Sequence, residues 1–141
     1  MSTGTTTAHI VETGESAFAV SIDVSGHHLI GDEPVEQGGG DLGPAPYDLL
    51  LAALGECTAM TVRWYARQQN WPLERVEVTL THAKGTVEGK STKTDHFAKT
   101  IRVIGQYLSD EQREKLITVA ARCPVQRTLE GTPVITTVAV S

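Results

Sequence analysis

Apolar and polar residues alternate along 7–12 and again along 17–24, on either side of Thr13-Gly14-Glu15-Ser16. Period-two alternation flanking a turn-forming tetrapeptide predicts a β-hairpin. A third short strand is expected over 27–30. Residues 31–45 then hold five glycines and two prolines, which predicts a long irregular segment. Segments of this length inside a small domain often line or cover a site. At Pro46 the period changes. Leu50, Leu54, Cys57, Thr61 and Trp64 recur at steps of four and three, which marks one face of a helix over 46–69. Pro46 suits the first helical position, and Asp48 puts a negative charge in the first turn, where the helix dipole favours it. Leu51, Ala52, Ala53, Ala59 and Met60 widen the apolar surface until only a narrow polar strip remains. A helix of that kind belongs in the centre of a fold or against another chain. Asn70-Trp71-Pro72 ends it.

Alternation returns at 75–84, where Val76, Val78 and Leu80 interleave with Glu77, Thr79 and Thr81. A polar hairpin tip is expected over 85–95 and a return strand over 97–106. Ser109-Asp110-Glu111-Gln112 is a capping box at the start of a second helix, which runs to Cys123, where Pro124 interrupts it. A short helical piece over 124–130 and a last strand over 133–140 complete the order βββ-α-ββ-α-β. The expected class is α+β, with antiparallel sheets around a long central helix.

A length of 141 residues corresponds to one domain, 1–141, and an apolar content of 40% is enough for a core. The longest apolar run, 49–54, is far short of the roughly 18 residues a membrane span requires. The start, Met1-Ser2-Thr3-Gly4-Thr5-Thr6-Thr7, has neither the basic nor the apolar part of a signal peptide. A cytoplasmic protein without membrane association is expected. The net charge of −5 argues against a nucleic-acid partner. That charge is unevenly spread. No Lys or Arg precedes Arg63, while nine acids do, and the remainder carries twelve bases against eight acids, or +4. Opposite signs suit halves that pack on each other or on those of a second copy; two separately solvated surfaces are the alternative.

Two cysteines, Cys57 and Cys123, stand sixty-six positions apart. Neither number nor spacing suits zinc, and a reducing compartment disfavours a permanent disulfide. They are inert core residues or a redox pair. Cys57 lies on the apolar helix face, with small neighbours Ala53 and Thr61 one turn away, which leaves room for a bound molecule beside the sulfur. Cys123 precedes Pro124 and so caps the next helix, near Arg122 and Arg127, in conditions that lower a thiol pKa. Local sequence alone therefore makes Cys123 the nucleophile.

The run Gly43-Pro44-Ala45-Pro46-Tyr47-Asp48-Leu49-Leu50-Leu51-Ala52-Ala53-Leu54-Gly55-Glu56-Cys57-Thr58-Ala59-Met60-Thr61, followed by Cys123-Pro124-Val125, resembles the OsmC/Ohr family of osmotically inducible and organic hydroperoxide resistance proteins. The similarity spans nearly the whole chain and extends to the order of elements. It implies an intertwined homodimer and a thiol-dependent peroxidase acting on organic hydroperoxides. By that analogy Cys57 attacks the peroxide and becomes a sulfenic acid. Cys123 resolves it to a disulfide, and a dithiol of lipoyl or thioredoxin-like type reduces the disulfide. An apolar pocket favours an organic peroxide, and a second thiol intercepts the sulfenic acid before over-oxidation. A non-enzymatic dimer of the same fold, sensing oxidants or binding a small molecule, is the other class of function.

Two positions depart from the family pattern. Peroxidase members use an arginine from the N-terminal region, tied to a glutamate directly after the proline at the helix start. Here no arginine precedes Arg63 and Tyr47 follows Pro46. Asp48 can substitute only if the helix start shifts. The activating cation is then sought at His27 or His28, or at Arg122 or Arg127 of either chain. Glu56 points away from the apolar face by about 100° and is no site residue. His27, His28, Asp32 and Glu33 make a poor metal site, because adjacent histidines on a strand face opposite ways. Gly38-Gly39-Gly40 lacks the preceding strand and following Lys of a phosphate loop. No cofactor or metal is expected.

Overall fold

The first three strands are β1 (Ala8–Glu12), β2 (Val20–Val24) and β3 (His27–Gly31), joined antiparallel in the order β1-β2-β3. Val24 pairs with His27 across a two-residue turn, and Ser25 and Gly26 both adopt positive φ, 50° and 79°. That is the turn whose twist matches a hairpin, and it needs residues that tolerate the left-handed region. The computed structural model describes residues 4–86 and 93–140. The chain divides into two compact units, Met1–Leu50 and Leu51–Ser141, with the division inside the long helix.

In the first unit the glycine-rich segment is organised by one carboxylate. Asp32 is buried, and its oxygens accept from the Ser16 hydroxyl at 2.9 Å and from the backbone N–H groups of Glu33 (2.7 Å), Gly40 (3.0 Å) and Leu42 (3.2 Å). Burial pushes its carboxyl up, but these hydrogen bonds outweigh that and hold it below the ordinary carboxylate value. A single turn of 3-10 helix (Val35–Gln37) lies within the segment, so it is ordered by local bonds and adds no strand.

Helix α1 runs over Pro46–Gln69, the span its sequence period predicts. Asp48 Oδ2 accepts the Ala45 N–H at 2.9 Å, closing one orphan donor at the start. At the other end Asn70 takes φ 56°, and Asn70 and Trp71 donate to the carbonyls of Arg67 and Ala66. This is a Schellman ending with Asn in the place of the usual Gly.

The second unit pairs β4 (Arg75–Thr86) with β5 (Lys93–Ile104) as one long antiparallel hairpin. Both strands extend further toward the tip than their sequence pattern suggests, while β5 ends at Ile104, two residues before the expected end; the tip, 87–92, falls outside the described residues. Helix α2 (Asp110–Ala120) opens with the expected capping box between Ser109 and Gln112 and ends three residues before Cys123. Helix α3 covers Pro124–Glu130, with Cys123 at its N-cap. The core of this unit joins Val62, Ala66, Leu73, Leu108, Leu116 and Ala120, with Tyr65, Trp71, Val76, Ile101 and Val103 against them. No helix among the described residues is long and apolar enough to cross a membrane.

The strand expected over 133–140 does not form. Those residues carry no regular structure, and Val134, Ile135, Val138 and Val140 are 84–93% exposed. Their composition favours a strand, but a strand requires an edge to pair with, and these residues pair with none among the described residues.

Leu116 is fully buried in the larger core. Leu116→Ala therefore removes both transfer free energy and packing, and is expected to cost about 2–5 kcal/mol, read from urea denaturation.

Candidate active site

Helix α1 sets the first sulfur. Gly55 lies over the β4–β5 sheet so closely that a Cβ there would stand 2.7 Å from Leu80 Cδ1. Leu80 Cδ1 is the movable end of a side chain, and Leu54, Cys57 and Thr58, which flank Gly55, are buried. The second sulfur comes from the α2–α3 junction. Pro124 starts α3, which leaves Cys123 as its extended N-cap, with φ −64° and ψ 146°. Leu54, Cys57 and Cys123 form a small second core, closed by Leu80, Phe97 and Val125. Both thiols are free; Cys57 is 8% exposed and Cys123 not at all.

The surroundings split the two thiols. Burial pushes Cys57 up, and the hydrogen bond and charge of Cys123 push it further. The Val125 N–H and the Thr61 hydroxyl act in the opposite direction without reversing it. Cys123 also feels burial, but here it is outweighed. The Thr58 hydroxyl, the Gln126 N–H, the Cys57 thiol and the Lys99 charge together bring Cys123 below an ordinary thiol. Two sulfurs in contact cannot both ionise readily, so the first negative charge the pair takes up falls mainly on Cys123, with Cys57 as its hydrogen-bond donor.

Among the described residues, Lys99 supplies the cation of this site. It stands on β5 opposite Leu80, in the row Phe97, Lys99, Ile101 and Val103 that faces the core. Its Nζ donates to Thr58 Oγ1 at 2.9 Å and to the Ala120 carbonyl at 2.8 Å. Thr58 Oγ1 lies 3.4 Å from Cys123 Sγ and 2.8 Å from the Leu54 carbonyl oxygen. Burial pulls Lys99 below its ordinary value, while the charges of Cys123, Cys57 and Glu130 draw it back up.

The other sequence-derived candidates occupy different settings. Arg122 and Arg127 are exposed, at the end of the α2–α3 junction and in the last turn of α3. In the first unit His28 Nδ1 pairs with Asp23 Oδ1 at 2.8 Å on the exposed part of the sheet, and His27 is exposed beside it. Asp48 is engaged as the start of α1, and Tyr47 is about half exposed. The cation beside the thiol pair in this chain is Lys99, which the sequence reading did not single out. A lysine in the inward row of an alternating strand was the signal for it. The described groove of about 580 Å³ on α1 is lined by Ala59, Met60, Arg63, Trp64 and Val76, and not by Cys57, Ala53 or Thr61.

Fold and site together define an α+β protein with a buried, electrostatically split thiol pair. A sequence model of the OsmC-like proteins matches residues 38–138, and the chain belongs to that family. No curated protein matches it. Among solved structures it resembles an OsmC-like protein of Mycoplasma pneumoniae, with TM-score 0.73 and 17% identity over 92% of this chain and 90% of that one. An organic hydroperoxide resistance protein, OsmC, of Legionella pneumophila gives 0.68 and 22%, covering 93% of each chain. A Vibrio cholerae protein assigned to organic hydroperoxide resistance, with captopril bound in one of its active sites, gives 0.67 and 25%, covering 93% and 88%.

The opposite displacements have opposite consequences for stability. The Cys123 contribution is fully present above the ordinary thiol value and lost as pH falls through its lowered one; the Cys57 contribution is present below the ordinary value and lost as pH rises through its raised one. Ultraviolet thiolate absorbance followed against pH is expected to show two separate steps, one below and one above a free cysteine. A single step at the free-cysteine position would contradict the split.

Proposed function

We propose that the protein is a thiol-dependent peroxidase for organic hydroperoxides, with Cys57 as the attacking and Cys123 as the resolving sulfur. The observation that carries this reading is the contact between two free thiols of opposite acidity in an apolar enclosure. Membership of a family whose relatives include hydroperoxide resistance proteins supports it. The Vibrio relative's active site takes an organic molecule, which favours an organic peroxide here as well.

Cys57 is assigned first attack because it is the more accessible sulfur, and peroxide attack depends on approach as well as on thiolate fraction. Its proton passes to the Cys123 thiolate across their hydrogen bond. The Cys57 thiolate then displaces the alkoxide from the peroxide, giving a sulfenic acid, and the alkoxide leaves as alcohol with the proton that Cys123 returns. The restored Cys123 thiolate attacks the sulfenic sulfur and expels hydroxide, forming a disulfide. A dithiol of lipoyl or thioredoxin-like type reduces that bond and is itself oxidised to a disulfide.

The working form in this reading is a cytoplasmic homodimer. Residues 133–140 present an apolar, strand-forming segment that pairs with no strand among the described residues, and Met60 and Trp64 on α1 are 58% and 61% exposed. Apolar surface of this extent fits a second copy of the chain. Light scattering is expected to give twice the chain mass; a monomer at micromolar concentration would remove the dimer from the proposal.

Steady-state reduction of cumene hydroperoxide with dihydrolipoamide tests the activity. Cys57→Ser is expected to lose peroxide consumption to background. Cys123→Ser is expected to consume about one equivalent and to label with dimedone at Cys57. Label on Cys123 in Cys57→Ser, with Cys123→Ser inert, would reverse the assignment. Oxidation of both thiols without turnover would favour a sensor instead.

A further inference from the structure

The hydroxyl of Thr58 has one proton and more claims on it than it can meet. It accepts from Lys99 Nζ at 2.9 Å, so that lone pair is committed. Its single proton can go to the Leu54 carbonyl at 2.8 Å or to Cys123 Sγ at 3.4 Å, but not to both. If it goes to Leu54, the only bond left between Thr58 and Cys123 has the thiol as donor, which requires Cys123 protonated. If it goes to the sulfur, Cys123 is the acceptor and is served best as a thiolate. The Leu54 carbonyl tolerates the loss, since it is also the helical partner of the Thr58 N–H.

Lys99 decides between these two arrangements. An ammonium donating into the Thr58 oxygen polarises the hydroxyl and makes its proton a stronger donor. It also favours negative charge at Cys123, to which it is coupled electrostatically. The second Lys99 bond, to the Ala120 carbonyl at the end of α2, fixes the ammonium in place. We propose that Lys99, acting through the Thr58 hydroxyl, is the positioning residue that turns that hydroxyl toward Cys123 and holds this sulfur as the resting thiolate. Among the described residues, the charged and titratable groups around the pair are Cys57 from α1, Lys99 from β5 and Glu130 from α3. Of these only Lys99 is positive. This inference deepens the peroxidase reading, because the thiolate it holds is the one that accepts the Cys57 proton and later resolves the sulfenic acid.

The test is ultraviolet thiolate absorbance against pH, which needs neither substrate nor access to the buried sulfur, in the full chain and in Thr58→Val, Thr58→Ser and Lys99→Met, with circular dichroism as the check on folding. In Thr58→Val and Lys99→Met the lower thiolate step is expected to rise by about one pH unit or more, a tenfold loss of thiolate at a given pH. Thr58→Ser keeps the hydroxyl and is expected to titrate as the unmodified chain does. If Lys99→Met fails to fold, the comparison of Val with Ser at position 58 decides alone. A lower step that stays put in Thr58→Val would overturn the relay, and so would a Thr58→Ser protein that titrates like Thr58→Val. A chain that never reduces peroxide but shows the expected shifts would retract the peroxidase reading and leave the relay standing.

Discussion

Two sulfurs pressed together with little water can hold one negative charge between them, and the second unit is arranged around that restriction. Cys57 arrives on α1, packed with Leu80 and Phe97 of the sheet. Cys123 arrives at the start of α3, because Pro124 forces an extended residue at this point. The ammonium that answers the charge comes from a third element, β5. Three segments far apart in sequence thus meet at one electrostatic problem, and small shifts in any of them redistribute the same charge.

Much of this was legible in the sequence. Alternation located both hairpins, the switch to a 3.6-residue period located α1 at both ends, and Ser109 with Gln112 located the start of α2. Those signals are local: each depends on which face of one segment is apolar and on which side chains close its ends. The thiol pair was legible as two candidates, each by its own environment and by family resemblance. Its polarity was only half legible, since the N-cap position of Cys123 marks it as acidic but says nothing of Thr58 or Lys99.

What escaped reading was long-range. Lys99 belongs to an inward row with Phe97, Ile101 and Val103, a placement that alternation alone makes visible, yet a charge in such a row has meaning only once its partners are known. Residues 133–140 show the complementary case. Valine and isoleucine in alternation specify readiness to pair, whereas a strand exists only where another edge meets it. The histidines beside the second turn illustrate a third case, in which composition suggested a cation and the fold supplied Asp23 as the neighbour of His28.

The Lys99 ammonium has a thermodynamic reach beyond the ionisation it biases. It favours the reduced pair, because a thiolate offers it a negative charge at close range; a disulfide between the same sulfurs would be neutral and leave the part-buried cation with dipoles and the weaker field of Glu130. Any interaction that favours the reduced form over the oxidised one raises the reduction potential of the couple. The dithiol of this site is therefore a weaker reductant, and its disulfide a stronger oxidant, than the same two cysteines would be without the lysine. In the proposed cycle a mild dithiol would then suffice to return the pair to its starting state.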